Sequence, residues 1–139
     1  MSDFAGMEDL LQDFLVEAGD LLSGVDNKLV DLERSPDDRG LLNDIFRGFH
    51  TIKGGAGFLN ATELVTLCHL TESLFDKLRN GELRVTPERM DVILAATGAV
   101  RDAVAGGASK KDATVKGIGD GVGYGERVRE VVLSIENSI

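Results

Sequence analysis

The stretch LNDIFRGFHTIKGGAG, residues 42–57, sets the organisation of the chain. Its apolar residues recur at three- and four-residue steps, the spacing of one face of an α-helix. They are Leu42, Ile45, Phe46, Phe49 and Ile52. The stretch therefore predicts an amphipathic helix with one face in a core. Three glycines end it. Because glycine is unfavourable in helix interiors, their presence indicates that this helix has a role besides packing.

The same spacing continues on both sides of this stretch, while the period-two alternation typical of strands is nearly absent. The pattern predicts an all-α fold: an up-down-up-down four-helix bundle with an additional C-terminal fifth helix. The predicted inward residues of the first helix are Met7, Leu10, Leu11, Phe14, Ala18, Leu21, Leu22, Val25, Leu29 and Leu32, and those of the third are Leu64, Leu67, Cys68, Leu74, Phe75 and Leu78. Those of the fourth are Met90, Ile93, Leu94, Thr97, Val100 and Val104, and those of the fifth are Val128, Val131, Val132 and Ile135.

Polar residues and glycines predict where the helices begin and end. Ser35 is expected to cap the second helix, and Asn60, with Glu63 at the capping-box spacing, to cap the third. Gly81 tolerates a left-handed backbone and is expected to follow the end of the third helix. Thr86 is expected to start the fourth.

Glycine content divides the chain into three parts. Seven glycines fall between residues 106 and 125, which predicts a flexible connection there. The bundle is expected over residues 1–105, and the fifth helix, docked on it, over 126–139. The glycine run at 117–123 fits neither a P-loop nor a dinucleotide fingerprint, so no ATP site is expected in this chain.

Composition excludes several classes of function. A net charge of −9 argues against a nucleic-acid surface. The chain lacks both a secretory signal and an apolar run of the roughly 20 residues that span a bilayer. A cytoplasmic protein without membrane insertion is therefore expected. The single cysteine, Cys68, is expected to be a core residue rather than a nucleophile or a disulfide partner.

The outward face of the second helix carries the candidate functional residues. His50 lies about 100° around from Phe49, toward solvent, and Lys53, Gly54 and Gly57 share its face. A bare helix surface beside an imidazole would let the active site of another protein reach the ring, and Lys53 could neutralise a phosphoryl group. The glycines could equally mark a fraying helix end or a close helix contact.

The third helix adds two candidates, His69 and Glu72, on its predicted outward side. If the second and third helices are antiparallel, Glu72 and His50 both lie two to three turns from the connection and can meet. A carboxylate on one ring nitrogen would fix the tautomer and make the other nitrogen more nucleophilic. An ordinary solvated glutamate and a bystander histidine remain the alternative.

The sequence IFRGFHTIKGGAGFLN resembles the phosphorylation motif of histidine-phosphotransfer (HPt) domains, specifically the N-terminal domain of the chemotaxis histidine kinase CheA. His50 stands at the phosphoacceptor position, with Lys53 and the glycines at their usual offsets. The resemblance covers roughly residues 5–105 and includes His69 and Glu72. It implies that Glu72 orients and activates His50 within a hydrogen-bond network that also contains His69.

The resemblance implies a phosphorelay in two-component chemotaxis signalling. A kinase catalytic domain of the same or a partner chain, using ATP and Mg, would phosphorylate His50. Receiver domains of the CheY and CheB type would then take the phosphoryl group onto an aspartate. The chain would be the phosphoacceptor domain of a protein-histidine kinase, either excised or a stand-alone relay, with no cofactor and no kinase activity of its own.

Two other functions fit parts of the pattern. A passive helical docking or dimerisation module would use the glycine face but not the imidazole. A metal-binding bundle would use His50, His69 and Glu72 as ligands, although the core stripes lack the inward glutamates of di-iron bundles.

Overall fold

The computed structural model describes the backbone of residues 3–109 and 125–139, and the side chains of residues 8–105 and 129–139. These residues form five helices and no strand. The helices are α1 (Asp3–Arg34), α2 (Arg39–Phe58), α3 (Thr62–Arg79), α4 (Pro87–Ser109) and α5 (Gly125–Ser138). None of them has an apolar stretch of the length needed to cross a bilayer. The predicted all-α fold is confirmed.

The first four helices close a ring around one core. α1 packs against α2 and α4, and α3 packs against the same two helices from the other side. α5 lies against α3 and α4 and contributes Val131 and Ile135 to the core. Its C-terminal end is held by Arg89, whose Nε donates to the carbonyl oxygen of Ser138 at 3.2 Å. These contacts form the predicted four-helix bundle with a fifth helix.

Most of the predicted inward residues are buried, and the rings of Phe49 and Phe75 stack at the centre, 6.0 Å apart. The prediction was wrong for Leu10 and Leu94, which are 44 % and 45 % exposed. Each is a direct neighbour of a buried residue, and one residue turns the helix by about 100°, which takes both side chains off the packed face. Met7 and Val128 lie outside the residues whose side chains are described.

Two predicted caps were wrong. The N-cap of α2 is Asp38 rather than Ser35, and its Oδ1 accepts from the backbone N–H of Leu41 at 3.1 Å. Asn60 belongs to the end of α2 instead of capping α3. Its φ is +61°, and the next N–H, that of Ala61, bonds back to the carbonyl of Ala56 at 2.9 Å. Asparagine tolerates this left-handed conformation, which reverses the chain within three residues.

Other boundaries agree with the sequence. Gly81 has φ +79° just after α3, and the Thr86 hydroxyl accepts from the N–H of Arg89 at 3.1 Å at the start of α4. α4 continues to Ser109, past the expected start of the connection at residue 106. The first four residues of the expected connection are therefore helical. Residues 110–124 lie outside the described part of the chain, so a flexible connection over them stays a prediction.

Candidate functional site

His50 projects from the middle of α2 because its neighbours in sequence fix the rotation of that helix. Phe49 and Ile52 are almost completely buried, so the His50 side chain turns outward and is 63 % exposed. The ring nevertheless has a partner on the neighbouring helix. Its Nδ1 lies 2.9 Å from Oε2 of Glu72, and the expected meeting of these two residues across α2 and α3 is present.

Glu72 lies in the seam between α2 and α3, and not on the outward side of α3 as the sequence suggested. The residue is only 9 % exposed. A buried carboxylate is costly unless it is paired, and here both oxygens are paired: Oε2 with His50, and Oε1 with the Nζ of Lys53 at 2.8 Å. The two α2 residues together make burial of this charge possible.

The hydrogen bond to Glu72 indicates which nitrogen of His50 carries the proton. A carboxylate can only accept, so Nδ1 of His50 carries the proton in this contact. In the neutral ring the lone pair then resides on Nε2. Because the side chain is mostly exposed, the ring that carries this lone pair is accessible from outside the core.

Lys53 contacts the carboxylate rather than standing free on the surface. Its side chain is 24 % exposed and donates to Glu72. An ammonium has three N–H donors, so this contact leaves others available for a phosphoryl group. The expected role of Lys53 in phosphoryl binding stays a prediction, and its observed contact is with Glu72, which also contacts His50.

The glycines of α2 serve two different purposes. No atom of the described residues lies within 4 Å of a Cβ placed on Gly54, and one on Gly57 would meet only Val65 at an ordinary 3.9 Å. These two positions form the bare surface expected beside His50. A Cβ on Gly55, by contrast, would lie 2.6 Å from a ring carbon of Phe14. Gly55 therefore permits close packing of α1 on α2, the alternative that the sequence left open.

His69 does not join the expected hydrogen-bond network. It is exposed, and among the described residues its ring has no hydrogen-bonding or ionic partner. Glu72 lies one turn further along α3, and both of its oxygens are already taken by α2 residues. Within the described part of the chain no three His, Cys, Asp or Glu side chains are grouped as metal ligands.

Two further residues near His50 were not identified from the sequence. Phe46, predicted to be a core residue, is only half-buried, and its ring stacks on that of His50 with a centroid distance of 6.1 Å. The guanidinium carbon of Arg79 lies 3.7 Å from the centroid of the Phe46 ring. The four-residue spacing of Phe46 and His50 signals a shared helix face; the position of Arg79 depends on how α3 packs.

Cys68 lies in the core beneath the site, as expected. Burial, with a smaller contribution from the nearby Glu72 charge, raises the pKa of its thiol to about 12, and Lys53 opposes this rise. The thiol is therefore protonated at neutral pH and, being fully buried, is a packing residue rather than a nucleophile.

Known proteins resemble the chain in both sequence and structure. The family model described as the Hpt domain matches residues 9–104. The sensor histidine kinase CheAY of Helicobacter pylori is 44 % identical over 88 residues, 63 % of this chain and 11 % of that protein. The chemotaxis protein CheA of Bacillus subtilis is 36 % identical over 110 residues, 76 % of this chain and 16 % of that protein. The chain thus spans less than a fifth of the length of these relatives.

Two solved structures are similar along most of their length. One is the CheA phosphotransferase domain from Thermotoga maritima, with a TM-score of 0.67 and 34 % identity, covering 70 % of this chain and 92 % of that one. The other is the solution structure of the histidine phosphotransfer domain of CheA, with a TM-score of 0.79 and 31 % identity. That match covers 94 % of this chain and 92 % of the solved one.

Proposed function

Because the chain belongs to the Hpt domain family, we propose that it is a phosphorelay module in which Nε2 of His50 is the phosphoacceptor. The hydrogen bond between Nδ1 of His50 and Glu72 carries this proposal. It leaves the Nε2 lone pair free on a side chain that is 63 % exposed. Glu72 orients the ring, and Lys53 holds Glu72 and approaches the phosphoryl group.

The proposed transfer has two steps. In the first, Nε2 of His50 attacks the γ-phosphorus of ATP bound to a separate kinase domain; the N–P bond forms and the P–O bond to ADP breaks. The ring keeps the proton on Nδ1 and becomes cationic, which strengthens its hydrogen bond to the Glu72 carboxylate. In the second step an aspartate oxygen of a receiver domain attacks the phosphorus, the N–P bond breaks, and Nε2 regains its lone pair.

The partners in this proposal are the kinase catalytic domain of a CheA-type histidine kinase and receiver domains of the CheY and CheB type. The names of the relatives favour chemotaxis as the pathway, and the resemblance to CheA implies that the relay operates in the cytoplasm. Gly54 and Gly57 leave the surface beside His50 free of side chains, so that the active sites of these partners can approach Nε2.

Radiolabelled ATP and a CheA-type kinase domain test the proposal directly. The wild-type chain should acquire label and lose it when a receiver domain is added, whereas His50→Gln should stay unlabelled. His69→Gln is the matched control, because it changes the other histidine of the chain and should keep most of the labelling. Labelling of His50→Gln at the wild-type level would show that another residue is the acceptor.

A further inference from the structure

Two residues contact the His50 ring: Glu72 at its edge, through Nδ1, and Phe46 by stacking. Phe46 lies four residues earlier on α2, and the planes of the two rings are within 10° of parallel. Side chains on a helix lean toward its N-terminus, which brings the imidazole over Phe46. The centroid distance of 6.1 Å falls within the 4.5–7 Å range of offset-stacked aromatic pairs.

The Phe46 ring also lies against the side chain of Arg79 from α3. Its guanidinium is held from two sides: Nε donates to Oδ1 of Asp76 at 2.9 Å, and one terminal nitrogen donates to Oδ1 of Asn43 on α2 at 2.7 Å. The guanidinium carbon is 3.7 Å from the centroid of the Phe46 ring. Phe46 therefore contacts both the His50 ring and a cation that is anchored to both helices.

A single hydrogen bond does not fix the orientation of an imidazole. With Nδ1 of His50 bound to Glu72, the ring can still rock about the N–H···O direction, and Nε2 swings with it. A flat ring packed against the imidazole face opposes this rocking. We propose that Phe46, backed by Arg79, is a positioning residue that fixes the plane of the His50 ring and so the direction of the Nε2 lone pair.

This inference rests on the proposed function of His50. After phosphorylation, Phe46 also stabilises the charge on the His50 ring. A ring phosphorylated at Nε2 that keeps its Nδ1 proton carries a positive charge. A cation within about 6 Å of an aromatic centroid is attracted to the face of that ring, and the centroid of the His50 ring lies 6.1 Å from that of Phe46. The contact with Phe46 thus favours both the aligned reactant and the positively charged ring of the product.

The reactivity of His50 itself can be measured with phosphoramidate, a small donor that needs no partner protein. Its P–N bond breaks as Nε2 bonds to phosphorus, and ammonia leaves. Phe46→Leu keeps apolar volume but removes the ring, and should slow this reaction by about 3- to 10-fold. Phe46→Tyr keeps the ring and should restore the rate. Arg79→Met removes the guanidinium that packs on Phe46 and should give a rate between those of wild type and Phe46→Leu.

Phe49→Leu is the matched control, since it makes the same change one residue from His50, on the buried face of α2. It should lower stability more than Phe46→Leu does, yet leave the phosphoramidate rate unchanged below the melting transition. Three-bond couplings of the His50 side chain supply a second readout. They should report one χ1 rotamer in the wild type and in Phe49→Leu, but rotamer averaging in Phe46→Leu.

The positioning role is overturned by any of three results: a Phe46→Leu rate equal to wild type, an equal loss of rate in Phe49→Leu, or a slower Phe46→Leu reaction with the His50 rotamer unchanged. Failure of the proposed relay would look different. His50 would then take no label from the kinase domain and ATP, while the phosphoramidate rates and rotamer couplings would still answer the question about Phe46.

Discussion

Replacing Glu72 by glutamine exchanges one carboxylate oxygen for an NH2 group and tests the orientation of the His50 ring. The carboxylate accepts from Nδ1 of His50 at 2.9 Å and from Nζ of Lys53 at 2.8 Å. An amide has one acceptor oxygen and one NH2 donor, so Glu72→Gln can satisfy only one of these donors. The Lys53 side chain is partly exposed and can donate to water instead. The amide can then face Nδ1 of His50 with either its oxygen or its NH2 group.

The magnitude follows from these two arrangements. If the amide oxygen faces Nδ1 of His50, a charge-assisted hydrogen bond becomes a neutral one, a difference of about 1–1.5 kcal/mol. Because that bond strengthens as the ring becomes cationic, phosphorylation should slow by about 5- to 13-fold. If the NH2 group faces Nδ1, the ring must move its proton to Nε2, which removes the nucleophilic lone pair and slows the reaction further.

The measurement is the initial rate of His50 labelling with kinase domain and ATP, together with ¹⁵N chemical shifts of the ring. We expect a loss of at least about 5-fold and, in the second arrangement, a proton on Nε2. Unfolding in urea should show a folded protein, since losing one buried hydrogen bond costs about 1–3 kcal/mol of the 5–15 kcal/mol typical of a domain.

Glu82→Gln is the matched control, because it removes the same charge from an exposed ion pair with Lys77. It should leave the rate and the ring shifts of His50 unchanged. Glu72→Gln labelling at the Glu82→Gln rate, with Nδ1 still protonated, would refute the orienting role of Glu72.

Three stability predictions concern other positions. Gly54→Ala should stabilise α2 by up to about 1 kcal/mol, whereas Gly55→Ala should cost about 1–3 kcal/mol because its Cβ would press on Phe14; equal effects in urea would contradict this assignment of the glycines. Phe75→Ala should cost about 3–5 kcal/mol, since its ring is completely buried, and a loss below 1 kcal/mol would be inconsistent with that burial. Burial raises the pKa of Cys68 from 9.0 to about 12, so between these pH values the unfolded thiol ionises while the folded one stays protonated. Stability should therefore fall as pH rises, by at most about 1.4 kcal/mol per unit from this group, and Cys68→Ala should remove that part of the slope.

The spacing of apolar residues was sufficient to predict the helices, the bundle and the outward direction of His50. Periodicity reports which way a side chain points relative to the packed face of its own helix. Because Phe49 and Ile52 must be buried, His50 cannot be. The exposure of Gly54 follows from the same rotation, and so does the shared face of Lys53 and His50.

The contact between His50 and Glu72 was expected from their similar distances to the connection. Other contacts between helices could not be read from the sequence, because they depend on how the helices pack and slide against each other. Glu72 looked like an outward residue of α3 but lies in the seam with α2. Gly54 and Gly55 are the same residue type in the same helix, and only the approach of Phe14 separates their roles. Arg79 reaches Phe46 for the same reason, from the far end of α3.

Sequence by itself therefore determined which way the candidate nucleophile His50 faces, and tertiary structure decided most of its surroundings. The direction of His50 is a local property of α2, set by the residues next to it. Glu72 contacts its ring directly, and Arg79 contacts Phe46, which stacks on that ring. Both lie on another helix, 22 and 29 positions further along the chain. Their placement depends on the register in which α2 and α3 bury their apolar faces, a property of the whole core.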